Sequence, residues 1–224
     1  MNDNIKLTSF ADGVWFARDS YRLFGVDLGT KMTVVRLADK KLLIYSPIKI
    51  NDSLRQQLSV LGDPAYIVVP SILHNLHAEQ WHSAFPHSTV YCAQGARVSI
   101  KGKSLKPGES YPWEDQLITI FIDGMPKVNE WVFIHKQSKT LMVCDLLFNV
   151  LEPQNLWARQ LLKLYGIYNR SAITPLYKLM IKDRKSFDQS LSKLKNCDFN
   201  KIIIAHGDNI DSEGYEVLLN ASQA

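Results

Sequence analysis

Cysteine is scarce in this chain of 224 residues, and Cys92, Cys144 and Cys197 stand far apart in apolar surroundings. No Cys-x-x-Cys pair or Cys/His spacing of a structural zinc site exists, so they read as buried free thiols in a reducing compartment. No window approaches the roughly 18 consecutive apolar residues that a membrane-spanning helix requires. The opening MNDNIKLTSFADG is polar and lacks a hydrophobic stretch, which predicts no secretory leader. Charge of one sign is also in short supply: 26 Lys and Arg against 22 Asp and Glu leave a formal +4. That excess is too small to announce a specific nucleic-acid binder. Repeats, low-complexity tracts and long linkers are missing as well. These absences predict a soluble, cytoplasmic protein with one domain over residues 1–224, and 46% apolar residues are enough for a sizeable core.

What is present is a set of short, β-branched apolar runs that end on chemistry. Tyr66-Ile-Val-Val69 reads as a strand buried on both faces. Pro70-Ser71 stops it, and His74 and His77 follow at what the spacing of Leu73, Leu76, Trp81 and Ala84 predicts to be a helix start. Thr140-Leu-Met-Val-Cys-Asp145 ends on a carboxylate, and Lys201-Ile-Ile-Ile-Ala-His206-Gly207-Asp208 ends on His-Gly-Asp. One carboxylate after a strand is commonly a helix cap. Three strands delivering His, Asp and His to their carboxyl ends predict a site, because ligands bind in the crevice beyond such ends.

The remaining pattern predicts strands at 13–17, 31–37, 41–45, 89–92, 117–122 and 130–134. Helices are expected from a cap at Asp52 or Ser53 to Leu61, and from Ser186 to Leu194. Helices alternate with strands without strict regularity, which fits a mixed sheet or two sheets with helices outside. Residues 153–187 carry Arg159, Lys163, Arg170, Lys178, Lys182, Arg184 and Lys185 against a single acid, Asp183. Trp157, Leu161, Leu164, Tyr165 and Tyr168 form an apolar stripe beside them. Two readings stay open: a packed helix with a solvated basic face, or a surface for weak contact with an anionic membrane or an acidic substrate.

Strand–His, strand–Asp and strand–His-Gly in this order resemble the metallo-β-lactamase superfamily over nearly the whole chain. The hairpin Met32–Tyr45 ending in Ser-Pro, the Leu73-His74 segment, Glu130–His135 and Thr140–Asn149 are similar to one uncharacterised branch, domain-of-unknown-function family 4336. The resemblance implies an α/β (α+β) fold, a four-layer αββα sandwich with a metal site at one edge of the sheets. It also implies His-x-His-x-Asp-His, a later His, a bridging Asp and a final His holding one or two metals, usually zinc. His77 and His74 match two histidines of the first motif, Asp145 the bridging aspartate and His206 the final histidine. Ile72, Leu76 and Met125 stand where three other ligands belong, and Tyr45 or Ser46 replaces the acid of the early strand.

What the resemblance leaves is a metal set of His74, His77, Asp145 and His206, with Asp145 also the catalytic candidate. Such a set suits one zinc or iron ion and a small-molecule ester or lactone substrate, with Tyr45 or a nearby Lys steadying the oxyanion. Asp208 is a candidate to orient a ligand histidine. The alternative is a metal-free, non-catalytic descendant that binds a small molecule or a partner, in which His74 and His77 cap or pack and Asp145 bonds His206. Stoichiometry of the assembly is not written in the sequence.

Overall fold

The computed structural model describes residues 5–151 and 155–223. Residues 1–4 of the polar start, 153–154 of the basic stretch and Ala224 lie outside the described residues. The elements run β1 (Leu7–Ala11), β2 (Val14–Asp19), β3 (Arg22–Leu23), β4 (Val26–Asp27), β5 (Thr30–Arg36), β6 (Lys41–Tyr45), α1 (Asp52–Leu61) and β7 (Asp63–Val69). Next come α2 (Ala78–Ala84), β8 (Thr89–Cys92), β9 (Lys103–Ser104), β10 (Leu117–Phe121), β11 (Trp131–His135), β12 (Thr140–Val143) and β13 (Phe148–Asn149). The chain closes with α3 (Leu156–Leu164), β14 (Ser171–Ala172), α4 (Pro175–Leu179), α5 (Arg184–Lys195), β15 (Lys201–Ile204) and α6 (Gly214–Gln223).

Side-chain alternation along the strands sorts the apolar residues into three layers. One sheet has the order β1-β2-β5-β6-β7-β8-β9 and the other β10-β11-β12-β15. Val35, Leu43, Tyr45 and Val68 of the first face Phe133, Met142 and Ile203 of the second. Trp113 fills the centre of this inner layer, stacked on Tyr111 at 5.2 Å and edge-on to Tyr91 at 4.8 Å. The alternate residues Val34, Ile44 and Ile67 face outward, where Leu54 and Leu58 of α1 and Trp81 of α2 cover them. On the far side, Ile134, Val143 and Ile204 are covered by Tyr177 of α4, Phe187 and Leu191 of α5 and Leu218 of α6. The result is the expected four-layer αββα sandwich. Each fully buried large apolar side chain contributes about 1.5–3 kcal/mol, and buried Trp81 also donates its indole N–H to the Ile48 carbonyl at 2.6 Å.

Both sheets turn from antiparallel to parallel pairing where they supply the site. Strands β12 and β15 run parallel with Val143 beside Ile204, so Asp145 and His206, each two residues on, emerge side by side. Strands β6 and β7 pair in parallel with Tyr45 beside Val68, which brings Ser46 and the loop after β7 to the same edge.

The structure differs from expectation in instructive places. The helix expected from Leu73 begins only at Ala78. Residues 70–77 stay irregular because the loop is tied down elsewhere: Trp131 N donates to the Pro70 carbonyl at 2.7 Å and Ile72 N to the Val128 carbonyl at 2.9 Å. Leu73 and Leu76 are consequently exposed rather than core residues. Helix α1 is capped by Asn51, whose side chain accepts from Leu54 N at 2.8 Å, and not by Asp52 or Ser53. Strand β1 was not expected, since LTSFA is short and half-exposed at a sheet edge. Helix α3 buries Ala158 and Leu162 and leaves Trp157 and Leu164 exposed, and it ends before Tyr165 and Tyr168. Among the described residues no helix is long and apolar enough to cross a membrane.

Candidate metal centre

His74, Asp145 and His206 come together at the shared edge of the two sheets. One ligand atom from each lies within 4.8 Å of the others. His74 Nε2 stands 3.5 Å from Asp145 Oδ2 and His206 Nε2 stands 3.6 Å from Asp145 Oδ1. The two imidazole rings are 5.3 Å apart. His77 reaches the same cavity, about 380 Å³ in volume, but is outside this cluster. It precedes α2 at its amino end, half-buried, with no side-chain cap bond.

Each imidazole is oriented from behind. His206 Nδ1 donates to the Gly29 carbonyl at 2.7 Å. A carbonyl only accepts, so His206 Nδ1 carries a proton and Nε2 is the ring nitrogen that faces Asp145. His74 Nδ1 is 2.8 Å from Ser46 Oγ. The His206 ring lies between Phe148, stacked at 5.1 Å, and Tyr21 at 5.3 Å. Lys31 holds the segment that carries it: its Nζ donates to the Ile204 carbonyl at 3.0 Å and to the Gly207 carbonyl. Burial drives the Lys31 pKa down to about 8, against the opposing pull of Asp208.

Asp145 is held by a second carboxylate. Fully buried Glu130 accepts from Cys144 N at 2.7 Å, from Asp145 N at 3.2 Å and from the Tyr177 hydroxyl at 3.0 Å. Burial and the Asp145 charge push the Glu130 carboxyl up to about 8. Burial also opposes ionisation of Asp145, yet His74 and His206 beside it hold its carboxyl well below the usual range. For His74, burial acts to lower the pKa, but Cys144 and Asp145 outweigh it and raise the value. His77 is lowered by burial, against a small opposing effect of Asp19.

The donor set fits a divalent cation. Asp145 Oδ2 is buried and has no hydrogen-bond partner among the described residues. His74 Nε2 and His206 Nε2 both face that carboxylate, so the space between them suits a positive charge. The two histidines approach different oxygens of Asp145, and one ligand atom from each of the three residues lies within 4.8 Å of the others, close enough to share one ion. Two imidazoles and a carboxylate also make the ligand set of mononuclear iron sites.

Other expected roles are taken differently. The Tyr45 hydroxyl points into the inner layer and donates to the Trp131 carbonyl at 2.9 Å, so it does not face the cavity. Asp208 Oδ2 accepts from Leu151 N at 3.3 Å, and the partner of His206 is Gly29 instead. Met125 is fully buried against the outer helices, Leu76 is exposed at the cavity rim, and Ile72 is half-buried. His135 bonds Ser138 at 2.8 Å, away from the site. A larger cleft of about 450 Å³ along β10 and α5 contains no metal-ligand cluster among the described residues. Sequence reasoning passed over Glu130, Lys31 and Gly29. A carboxylate set directly against the apolar run Trp131–His135 was the available signal for Glu130.

The two sheets, their covering helices and the His/Asp/His edge define a metallo-β-lactamase fold. The DIM-1 metallo-β-lactamase superposes with a TM-score of 0.67 at 14% identity, over 98% of this chain and 96% of that one. A diflavin flavoprotein A 5 fragment from Nostoc sp. PCC 7120 gives 0.68 at 12% identity, over 98% and 96%. The metal-soaked Flv1 flavodiiron core from Synechocystis sp. PCC6803 gives 0.67 at 11% identity, and the chain spans 60% of that protein's length. A family model described as a domain of unknown function, DUF4336, matches residues 11–165. The chain belongs to that family. No curated protein matches it at a significant level.

Proposed function

We propose that the protein is a mononuclear metal-dependent hydrolase of small esters, lactones or similar compounds. The observation that carries this reading is the Asp145 carboxylate, buried with an unpartnered oxygen between two histidines whose other ring nitrogens are already engaged. His74, Asp145 and His206 would hold one zinc or iron ion. Such an ion supplies Lewis acidity, which lowers the pKa of water towards about 7 and polarises a carbonyl.

The protein's own groups do the rest. Gly29 and Ser46 fix both imidazoles so that no reorientation accompanies loading or turnover. Asp145 stays ionised at neutral pH, so it serves to hold positive charge and aim a water O–H rather than to store a proton. His77 lines the cavity and burial lowers its pKa, so at neutral pH it is a proton acceptor on the rim.

Apolar residues at three family ligand positions favour a second reading, a metal-free binding scaffold. Zinc- and iron-loaded protein assayed against p-nitrophenyl esters and simple lactones separates the two. Hydrolysis that follows metal content and is lost in Asp145→Ala supports the enzyme. Folded protein that takes up neither ion and hydrolyses none of these compounds removes it in favour of the scaffold.

A further inference from the structure

We propose that the face formed by the β3–β4 hairpin, α3 and α4 seats the protein on an anionic phospholipid bilayer. Large apolar side chains are spread over this face: Phe24 is 64% exposed, Trp157 61%, Leu164 78% and Leu179 78%. The three elements form one surface. Trp157 Nε1 donates to the Phe24 carbonyl at 3.0 Å, and the Phe24 and Tyr165 rings are 6.5 Å apart. Leu23, Leu161, Tyr165 and Leu176 line an apolar slot of about 50 Å³ where hairpin and helices meet. Packing of α3 on the body uses Ala158 and Leu162, so its outward residues Leu156, Trp157 and Leu164 have no partner layer among the described residues.

Charge selects the occupant. From the start of α3 to the end of α4, residues 156–179 carry Arg159, Lys163, Arg170 and Lys178 and no acid. Arg159 and Lys163 lie over the Tyr168 ring at 5.5 and 5.3 Å, beside the apolar side of the helix. Among the described residues no carboxylate is paired with Arg159, Lys163, Arg170 or Lys178. Exposed Trp and Leu flanked by unpaired Lys and Arg is the pattern of a helix lying in the headgroup region. There the bases are drawn to anionic lipid and the apolar side chains enter the acyl boundary. An acidic protein surface would satisfy the bases but not the leucines.

The test uses the full chain with vesicles of phosphatidylcholine alone and of phosphatidylcholine with phosphatidylglycerol. Co-sedimentation with the anionic vesicles alone is expected, with weakening in about 0.5 M salt. Bound Trp157 is expected to be shielded from acrylamide, a signal absent in Trp157→Phe. Leu164→Asp and the pair Arg159→Glu, Lys163→Glu change exposed residues, and unaltered melting temperatures certify their folds. Each is expected to weaken vesicle binding at least tenfold. Binding to neither vesicle, binding untouched by the variants, or equal binding to soluble polyglutamate would each overturn the proposal.

Discussion

His206 Nδ1 and the Gly29 carbonyl, 177 residues apart in sequence, meet at 2.7 Å in the buried edge of the sandwich. That bond decides which nitrogen of His206 is free. Nitrogen-15 spectra of selectively labelled protein are predicted to show a proton on His206 Nδ1, with Nε2 responding when zinc is added. An Nδ1 found without its proton contradicts the assigned orientation.

Ser46 plays the corresponding part for His74. Removing its hydroxyl in Ser46→Ala leaves Nδ1 without its 2.8 Å partner. Loss of such a supporting bond lowers metal affinity by about 10–100-fold. Competition titration with a chromophoric chelator measures this directly, and an unchanged affinity would count against an orienting role.

Glu130 supports the site through the backbone. Glu130→Ala strips the acceptor from the Cys144 and Asp145 amides and from the Tyr177 hydroxyl. Each buried donor left unpaired costs about 1–3 kcal/mol, so a loss of several kcal/mol is expected in urea unfolding. Glu130→Gln, which keeps one accepting oxygen, is expected to fall between. Wild-type stability in Glu130→Ala would show that these bonds are replaceable.

Gly207 has φ +93°, and a β-carbon there would run into the Asn149 carbonyl. Backbone strain of this kind costs about 1–3 kcal/mol, and it falls on the residue next to His206. Gly207→Ala is predicted to lower both the melting temperature and metal content. Retention of full metal content would separate this turn from the site.

Lys31 gives a pH signature with a definite sign. Its folded pKa of about 8 lies below the ordinary lysine value of 10.5. The folded state therefore binds fewer protons than the unfolded state between these values, and stability rises with pH across that window. Relative to Lys31→Met, the wild type is predicted to gain on the order of 1–3 kcal/mol between about pH 7.5 and 10. A flat difference would mean that Lys31 is not desolvated.

Much of this arrangement was legible in the residues themselves. The apolar runs at 66–69, 140–143 and 201–204 announced buried strands, and the parallel register carried Asp145 and His206 to one edge. The layer order needed the family resemblance, because strand periodicity says which face is buried but not which strands pair. The loop 70–77 escaped the helical pattern because its backbone is held by Val128 and Trp131, contacts that no local spacing encodes. His77 entered the ligand set by matching a histidine of the superfamily's first motif, and it lines the cavity at the amino end of α2, outside the cluster of the other three. Gly29, Glu130 and Lys31 act through long-range hydrogen bonds and leave almost no local mark.

The most direct test of the account is elemental analysis of untagged protein alongside Asp145→Ala, His206→Ala and His77→Ala. The three-residue centre predicts one zinc or iron ion per chain in the wild type and in His77→Ala, and none in the other two. Folded wild-type protein that carries no metal even after reconstitution would contradict it.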